Sequence, residues 1–228
     1  MKKVICWSCL LWCFGTSWAA PAVTTQKAKN IASLTTNLRP AVVTIALDVF
    51  YNSLQLGIPV KKPIITIIDY SLPSDQPRLW VVDLTGEKIL YNSLVAHGIN
   101  SGRSRTSRFS NHVGSLQTSL GIFLTGKTYM GKHGYSLKLK GLERGINDKA
   151  EERSIVLHGA HYVSRKLLAT SGKVGRSWGC PAVEANLARP IIDTIKEGTL
   201  VFAYYPNRVW LSRSALINNK LNPVFYRR

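Results

Sequence analysis

Ser154-Ile155-Val156-Leu157-His158-Gly159-Ala160 is a short apolar, β-branched run that delivers a histidine and then a glycine. Such a run reads as a strand. Gly159 reads as a sharp turn that leaves the imidazole accessible. Cys180 follows 22 residues after His158, inside Ser177-Trp178-Gly179-Cys180-Pro181. That separation is enough for a loop and a return, so one turn-rich end of a sheet can hold both side chains. Working outward, Ile64-Ile65-Thr66-Ile67-Ile68 is a second β-branched run, and Arg78 to Leu84 a third. Thr85-Gly86 signals a hairpin returning over Ile89 to Ala96, and Leu200 to Tyr204 is a late strand. Helical signals are fewer. Thr36-Asn37 and Pro40 open a helix whose face is Val43, Leu47, Phe50 and Leu54, and Leu187 to Lys196 form another, stopped by Gly198. The pattern is mainly β with a few helices, one of them N-terminal. It lacks the regular strand–helix alternation of a doubly wound sheet.

The chain has four cysteines, and three of them, Cys6, Cys9 and Cys13, lie near the start. Lys2 and Lys3 precede an apolar run from Val4 to Phe14, and Ser17-Trp18-Ala19 places small residues where a signal is cut. Residues 1–19 are therefore expected to be a removable export signal, shorter than a membrane span needs. Cleavage would leave Cys180 as the lone thiol of an exported protein, unable to form an internal disulfide. Residues 20–35, small, polar and basic, are expected to be a flexible leader. The domain proper is placed at 36–205, followed by a basic C-terminal tail at 206–228.

Composition narrows the partners. The 228 residues carry 30 Lys and Arg against 12 Asp and Glu, a formal charge of +18. Removing the signal leaves +16. Such an excess implies an anionic partner, and for an exported chain that means anionic cell-envelope polymers. No specific nucleic acid is expected. The densest cluster, Arg103-Ser104-Arg105-Thr106-Ser107-Arg108, has no flanking aromatics on which bases would stack. No segment beyond the signal is long and apolar enough to span a bilayer, and the chain is expected to be a monomer.

A thiol is mostly protonated at neutral pH and needs a base to become a nucleophile. Among the five histidines, His158 is the first candidate and His161, three residues on, the rival. Trp178-Gly179-Cys180 can aim successive backbone N–H groups at one point, as an oxyanion requires. Pro181 has no N–H to add. Other readings stand beside these. Cys180 is also the right size for a small buried hydrophobe, and His158 for a hydrogen-bonded core histidine. A metal bound by His158, His161 and Cys180 would lack a nearby carboxylate, and no metal or cofactor is expected.

Leu157-His158-Gly159-Ala160 together with Arg176-Ser177-Trp178-Gly179-Cys180-Pro181-Ala182 resembles the L,D-transpeptidase (YkuD-type) catalytic domain, in its murein L,D-transpeptidase branch. Ser119 to Gly126, Tyr129 to Ser136, Asp69 to Ser74 and Val95-Ala96-His97-Gly98 extend the likeness, which covers roughly Leu38 to Tyr205. The resemblance implies a mostly β fold and acyl transfer on peptidoglycan stem peptides without a cofactor. Cys180 would be the nucleophile and His158 the base, its ring oriented by a backbone carbonyl near Gly159. Gly179 and Ser177 would belong to the oxyanion loop. Trp178, Arg176, His133 and Tyr135 would line the substrate cleft, although His133 and Tyr135 also suit structural roles. Two positions depart from the commoner pattern. Trp178 stands where a histidine is usual. Ala182 stands where Arg or Asn is usual, which leaves the substrate carboxylate without its contact. Arg176 or Lys173 could supply it, or could be solvated loop charges.

Overall fold

The computed structural model describes residues 21–218. The expected signal at 1–19, with Cys6, Cys9 and Cys13, lies outside the described residues, as does the tail from 219 onward. Two helices come first, α1 (Pro21–Ser33) and α2 (Pro40–Gln55). Strands β1 (Ile64–Asp69), β2 (Leu79–Asp83), β3 (Lys88–Ser93) and β4 (Val95–Ala96) follow, then a 3₁₀ turn at Ile99–Ser101. The long hairpin β5 (Gly121–Gly131) and β6 (Gly134–Gly141) leads to β7 (Val156–Ala160) and α3 (Arg165–Ser171). The chain ends with β8 (Ala182–Glu184), α4 (Ala185–Ile195), β9 (Leu200–Tyr204), α5 (Arg208–Arg213) and α6 (Ala215–Asn218).

The nine strands make one mixed sheet in the order β3-β2-β1-β9-β5-β6-β7-β8-β4. The pairs β1–β9 and β7–β8 are parallel, and the other neighbours are antiparallel. Continuous β-branched sequence in β1 matches its burial: every residue from Ile65 to Asp69 is buried. Helix α2 starts at Pro40, whose missing N–H costs nothing in a first turn. It packs on β1 and β9. Val43, Leu47 and Phe50 of its expected face are buried, while Leu54 at the last turn is exposed. Its N-cap is Arg39 rather than Thr36-Asn37. Arg39 instead reaches Asp69 at the end of β1, at 2.8 Å.

The expected flexible leader is corrected by α1. Ala28 and Ile31 are fully buried, and the helix packs along α2. Tertiary packing stabilises a segment whose own composition is too polar to announce a helix. The tail boundary at 206 also moves. Trp210 of α5 is buried and donates its indole N–H to the Glu143 carboxylate at 3.1 Å. Leu216 of α6 is fully buried, and the Asn52 amide of α2 donates to its carbonyl at 2.9 Å. The folded unit therefore runs through α6. Among the described residues no helix is long and apolar enough to cross a membrane.

Candidate active site

Parallel pairing of β7 with β8 aligns His158 with Ala182, two residues past Cys180. This register carries the thiol to the same cleft as the imidazole. The cleft has a volume of about 380 Å³ and is lined by Cys180, His158, His133, Trp178, Arg176 and Ser177, among others. Its charged walls are Lys132, Arg153 and Arg176, with no carboxylate.

The loop before Cys180 is held by its own short side chains. Ser177 Oγ accepts the Gly179 N–H at 3.1 Å and donates to the Cys180 carbonyl at 2.6 Å. The Ser177 N–H donates to the His97 carbonyl at 2.9 Å, and the Ile99 N–H donates to the Ser177 carbonyl at 2.8 Å. Gly179 takes φ +127°, and a Cβ there would lie 2.8 Å from the Gln117 carbonyl oxygen. Only glycine meets both demands. Here the Gly179 N–H is taken by Ser177, and the glycine itself serves the loop's path.

Cys180 is partly buried. Its sulfur receives the Val156 N–H at 3.5 Å and points at the Ser154 carbonyl at 3.6 Å. Ser154 adopts a left-handed φ of 54° just before β7. Burial pushes the thiol above its ordinary value; the Val156 amide and the Arg153 and Lys132 charges pull the other way without cancelling it.

His158 is buried in the interior of β7. Gly159 follows it in the strand and makes no turn. Its missing side chain instead lets α4 approach, since a Cβ would sit 2.7 Å from that of Ala188. The His158 Nδ1 lies 2.9 Å from the Gly159 carbonyl oxygen. A carbonyl only accepts, so Nδ1 carries the proton and Nε2 keeps its lone pair. Burial lowers the affinity of this ring for a second proton, and the neighbouring His133 and Lys132 lower it further.

The remaining expected residues separate. His133, at the tip of the β5–β6 hairpin, stacks on His158 with ring centroids 4.3 Å apart. Trp178 is 68% exposed, and Lys132 Nζ lies 4.9 Å above its ring. Arg176 donates to the Ile99 and Gly102 carbonyls at 3.3 and 3.0 Å. Tyr135 is not brought into the cleft: its hydroxyl bonds Asp193 of α4 at 2.7 Å, and Arg189 lies 4.3 Å over its ring. Strand alternation explains this, since Tyr135 and Ser136 face opposite sides of β6. His161 is exposed and packs edge-on against Tyr162, which lines the cleft, while His161 itself does not. Among the described residues no three His, Cys, Asp or Glu side chains converge as a metal site would require.

Arg153 was not legible. It reads as one of a solvated Glu151-Glu152-Arg153 run. In the structure it binds the Ser110 and Gln117 carbonyls and the Ser115 and Ser119 hydroxyls, tying the 110–119 loop under the thiol.

Residues 34–204 match the L,D-transpeptidase catalytic domain family, and the chain belongs to that family. An L,D-transpeptidase from Mycobacterium smegmatis aligns with TM-score 0.38 and 11% identity, over 63% of this chain and 59% of its own. One from Stackebrandtia nassauensis aligns with TM-score 0.38 and 14% identity, over 80% and 90%. L,D-transpeptidase 1 from Mycobacterium tuberculosis aligns with TM-score 0.35 and 12% identity, over 63% and 62%. The chain thus spans about three fifths of the first of these structures. No curated protein matches the chain.

Proposed function

We propose that this protein is an exported cysteine acyltransferase acting on peptidoglycan stem peptides. The observation that carries the reading is the pairing of Cys180 and His158 in one cleft, with the imidazole tautomer fixed by the Gly159 carbonyl. Family membership supplies the substrate class.

In this mechanism the stem peptide lies along the cleft with its third-residue carbonyl at Cys180. Because the thiol is held protonated, attack requires His158 Nε2 to accept the proton as the C–S bond forms. In this reading the Cys180 backbone N–H stabilises the developing oxyanion. The imidazolium returns its proton to the leaving nitrogen, D-alanine departs, and a thioester remains. An amine from a neighbouring stem attacks the thioester and loses its proton to His158. The thiol is regenerated and a 3–3 crosslink is formed. Positive cleft walls and the +16 charge left after signal removal suit an anionic envelope, and the protein acts as a monomer after signal removal at residue 19.

Intact-mass analysis with a disaccharide-tetrapeptide tests this. The wild-type protein gains a thioester-linked tripeptide and releases D-alanine, whereas Cys180→Ala does neither. A folded wild-type protein that forms no adduct would sink the proposal. Tripeptide without dimer in the presence of an acceptor amine would instead assign water as the acceptor, a carboxypeptidase.

A further inference from the structure

Ala182 cannot touch a substrate. It is fully buried in β8, between Ala96 of β4 and His158 of β7. The carboxylate contact that the resemblance assigns to this position must come from elsewhere. A second cavity, of about 500 Å³, adjoins the Cys180 cleft, and Arg176 lines both. Its charged lining is Arg103, Lys173 and Arg176, joined by Ser74 and Ser104, with no acidic side chain.

Each cation sits on an anchored segment. The turn carrying Arg103 is closed by a Gly102–Thr106 bridge and tied to the 69–78 loop by the Ser74 N–H, which donates to the Ser104 carbonyl at 2.8 Å. From inside, the buried Arg78 guanidinium donates to Thr106 Oγ1 at 3.2 Å. Lys173 follows the C-cap of α3 and precedes Val174, which is buried. Arg176 donates to the Ile99 and Gly102 carbonyls through one terminal nitrogen, leaving the rest of its planar fork for an oxyanion. Three cations from two loops converge on one hollow beside the thiol, with no acidic side chain among the described residues that line it.

We propose that this cavity binds a carboxylate of the stem peptide whose amide is opened at Cys180, taking over the task that position 182 cannot perform. The inference rests on the acyl-transfer reading for the identity of the peptide. Arginine and lysine in an open hollow recognise a carboxylate by charge-assisted hydrogen bonds, and a peptide that reaches both sites is held by its reacting amide and its charge together.

The test uses the full chain carrying Cys180→Ala, titrated by calorimetry with a stem tetrapeptide and with the same peptide amidated at every carboxyl. The amidated peptide is expected to bind about tenfold more weakly or worse, and the double variant R103Q/K173Q is expected to erase that preference. On the wild-type background the same pair of substitutions raises KM for the tetrapeptide and leaves kcat for thioester formation unchanged. Equal affinity for the two peptides, or a preference that survives the double variant, would overturn the proposal. So would a poly(glycerol phosphate) chain that binds through Arg103 and Lys173 while the tetrapeptide does not. A wild-type protein that forms no thioester defeats the acyl-transfer reading alone, because the binding preference is read on a protein without the thiol.

Discussion

Two strands flank β8, and each carries a histidine followed by a glycine: His97-Gly98 after β4 and His158-Gly159 within β7. Both rings are buried. Their surroundings give them opposite tautomers. The Arg78 guanidinium donates to His97 Nδ1 at 2.8 Å, so that nitrogen is an acceptor and the ring proton sits on Nε2. The Gly159 carbonyl makes His158 Nδ1 a donor and leaves Nε2 free of a proton. Burial and then the Arg78 charge push His97 down to about 4. His97 is thus a neutral acceptor for a buried cation that has no carboxylate bonded to it. His158 is a neutral ring lining the same cleft as Cys180, the base of the proposed mechanism. One dipeptide on either side of β8 braces the interior of the fold in one place and lines the cleft in the other, and the partner of Nδ1 sets which ring nitrogen is free of a proton.

The largest test of this contrast is His158→Gln. It is expected to lower kcat/KM for thioester formation by about 10³-fold, within the range of a lost general base, while the melting temperature stays near that of the wild type. A large stability loss with activity retained would reverse the assignment. The acid limb of the wild-type rate profile reports the same group. Because the folded ring is harder to protonate than a free imidazole, that limb should fall below pH 6.5, and a limb above 6.5 contradicts the burial argument.

Acid unfolding probes the other histidine. Unfolded His97 takes its proton near 6.5 and the folded ring near 4. Between these values the unfolded chain binds more protons, so acid favours unfolding. The contribution is complete above pH 6.5 and is lost, by roughly 3 kcal/mol, as the pH falls to 4. Denaturant titrations at the two pH values measure it, and His97→Leu should flatten the difference. At neutral pH the same substitution removes one acceptor from buried Arg78, at a cost of about 2 kcal/mol, read as a lower denaturation midpoint. Turnover is expected to survive.

Smallest is the effect of Lys132→Ala. Lys132 helps pull down the Cys180 thiol, and it opposes protonation of His158. Its loss should shift the pH midpoint of Cys180 alkylation upward, by less than the other substitutions change their readouts. A downward shift would mean that the hairpin tip acts on the thiol by shielding it rather than by charge.

The parts of the fold that were legible are those where burial is written into composition. The Ile64–Ile68 run, the Val156–His158 run and the α2 stripe each announce a covered surface through apolar side chains at the right period. Helix α1 was misread because only a few of its residues, Ala28 and Ile31 among them, meet α2; the rest of its surface is polar, as in a leader. Cys180 and His158 stood out through their glycine and proline neighbours. Arg153 did not, because its four acceptors come from residues 110–119, and no local pattern shows that an arginine will be consumed by carbonyls and hydroxyls brought from more than 30 residues away. Tyr135 was expected in the cleft, yet it is Ser136 that pairs with His158, so the Tyr135 side chain falls on the opposite face of β6.

Among the described residues β9 is the last strand in sequence and the fourth in the sheet, and it alone joins β1 to β5. A polypeptide delivered from its N-terminus, whether from a ribosome or through a translocation pore, therefore holds two open ladders until residues 200–204 arrive. Each ladder keeps an unpaired edge until then. Completion of the sheet waits on β9, and a chain cut short before Leu200 is left with two adhesive edges in place of one sealed seam.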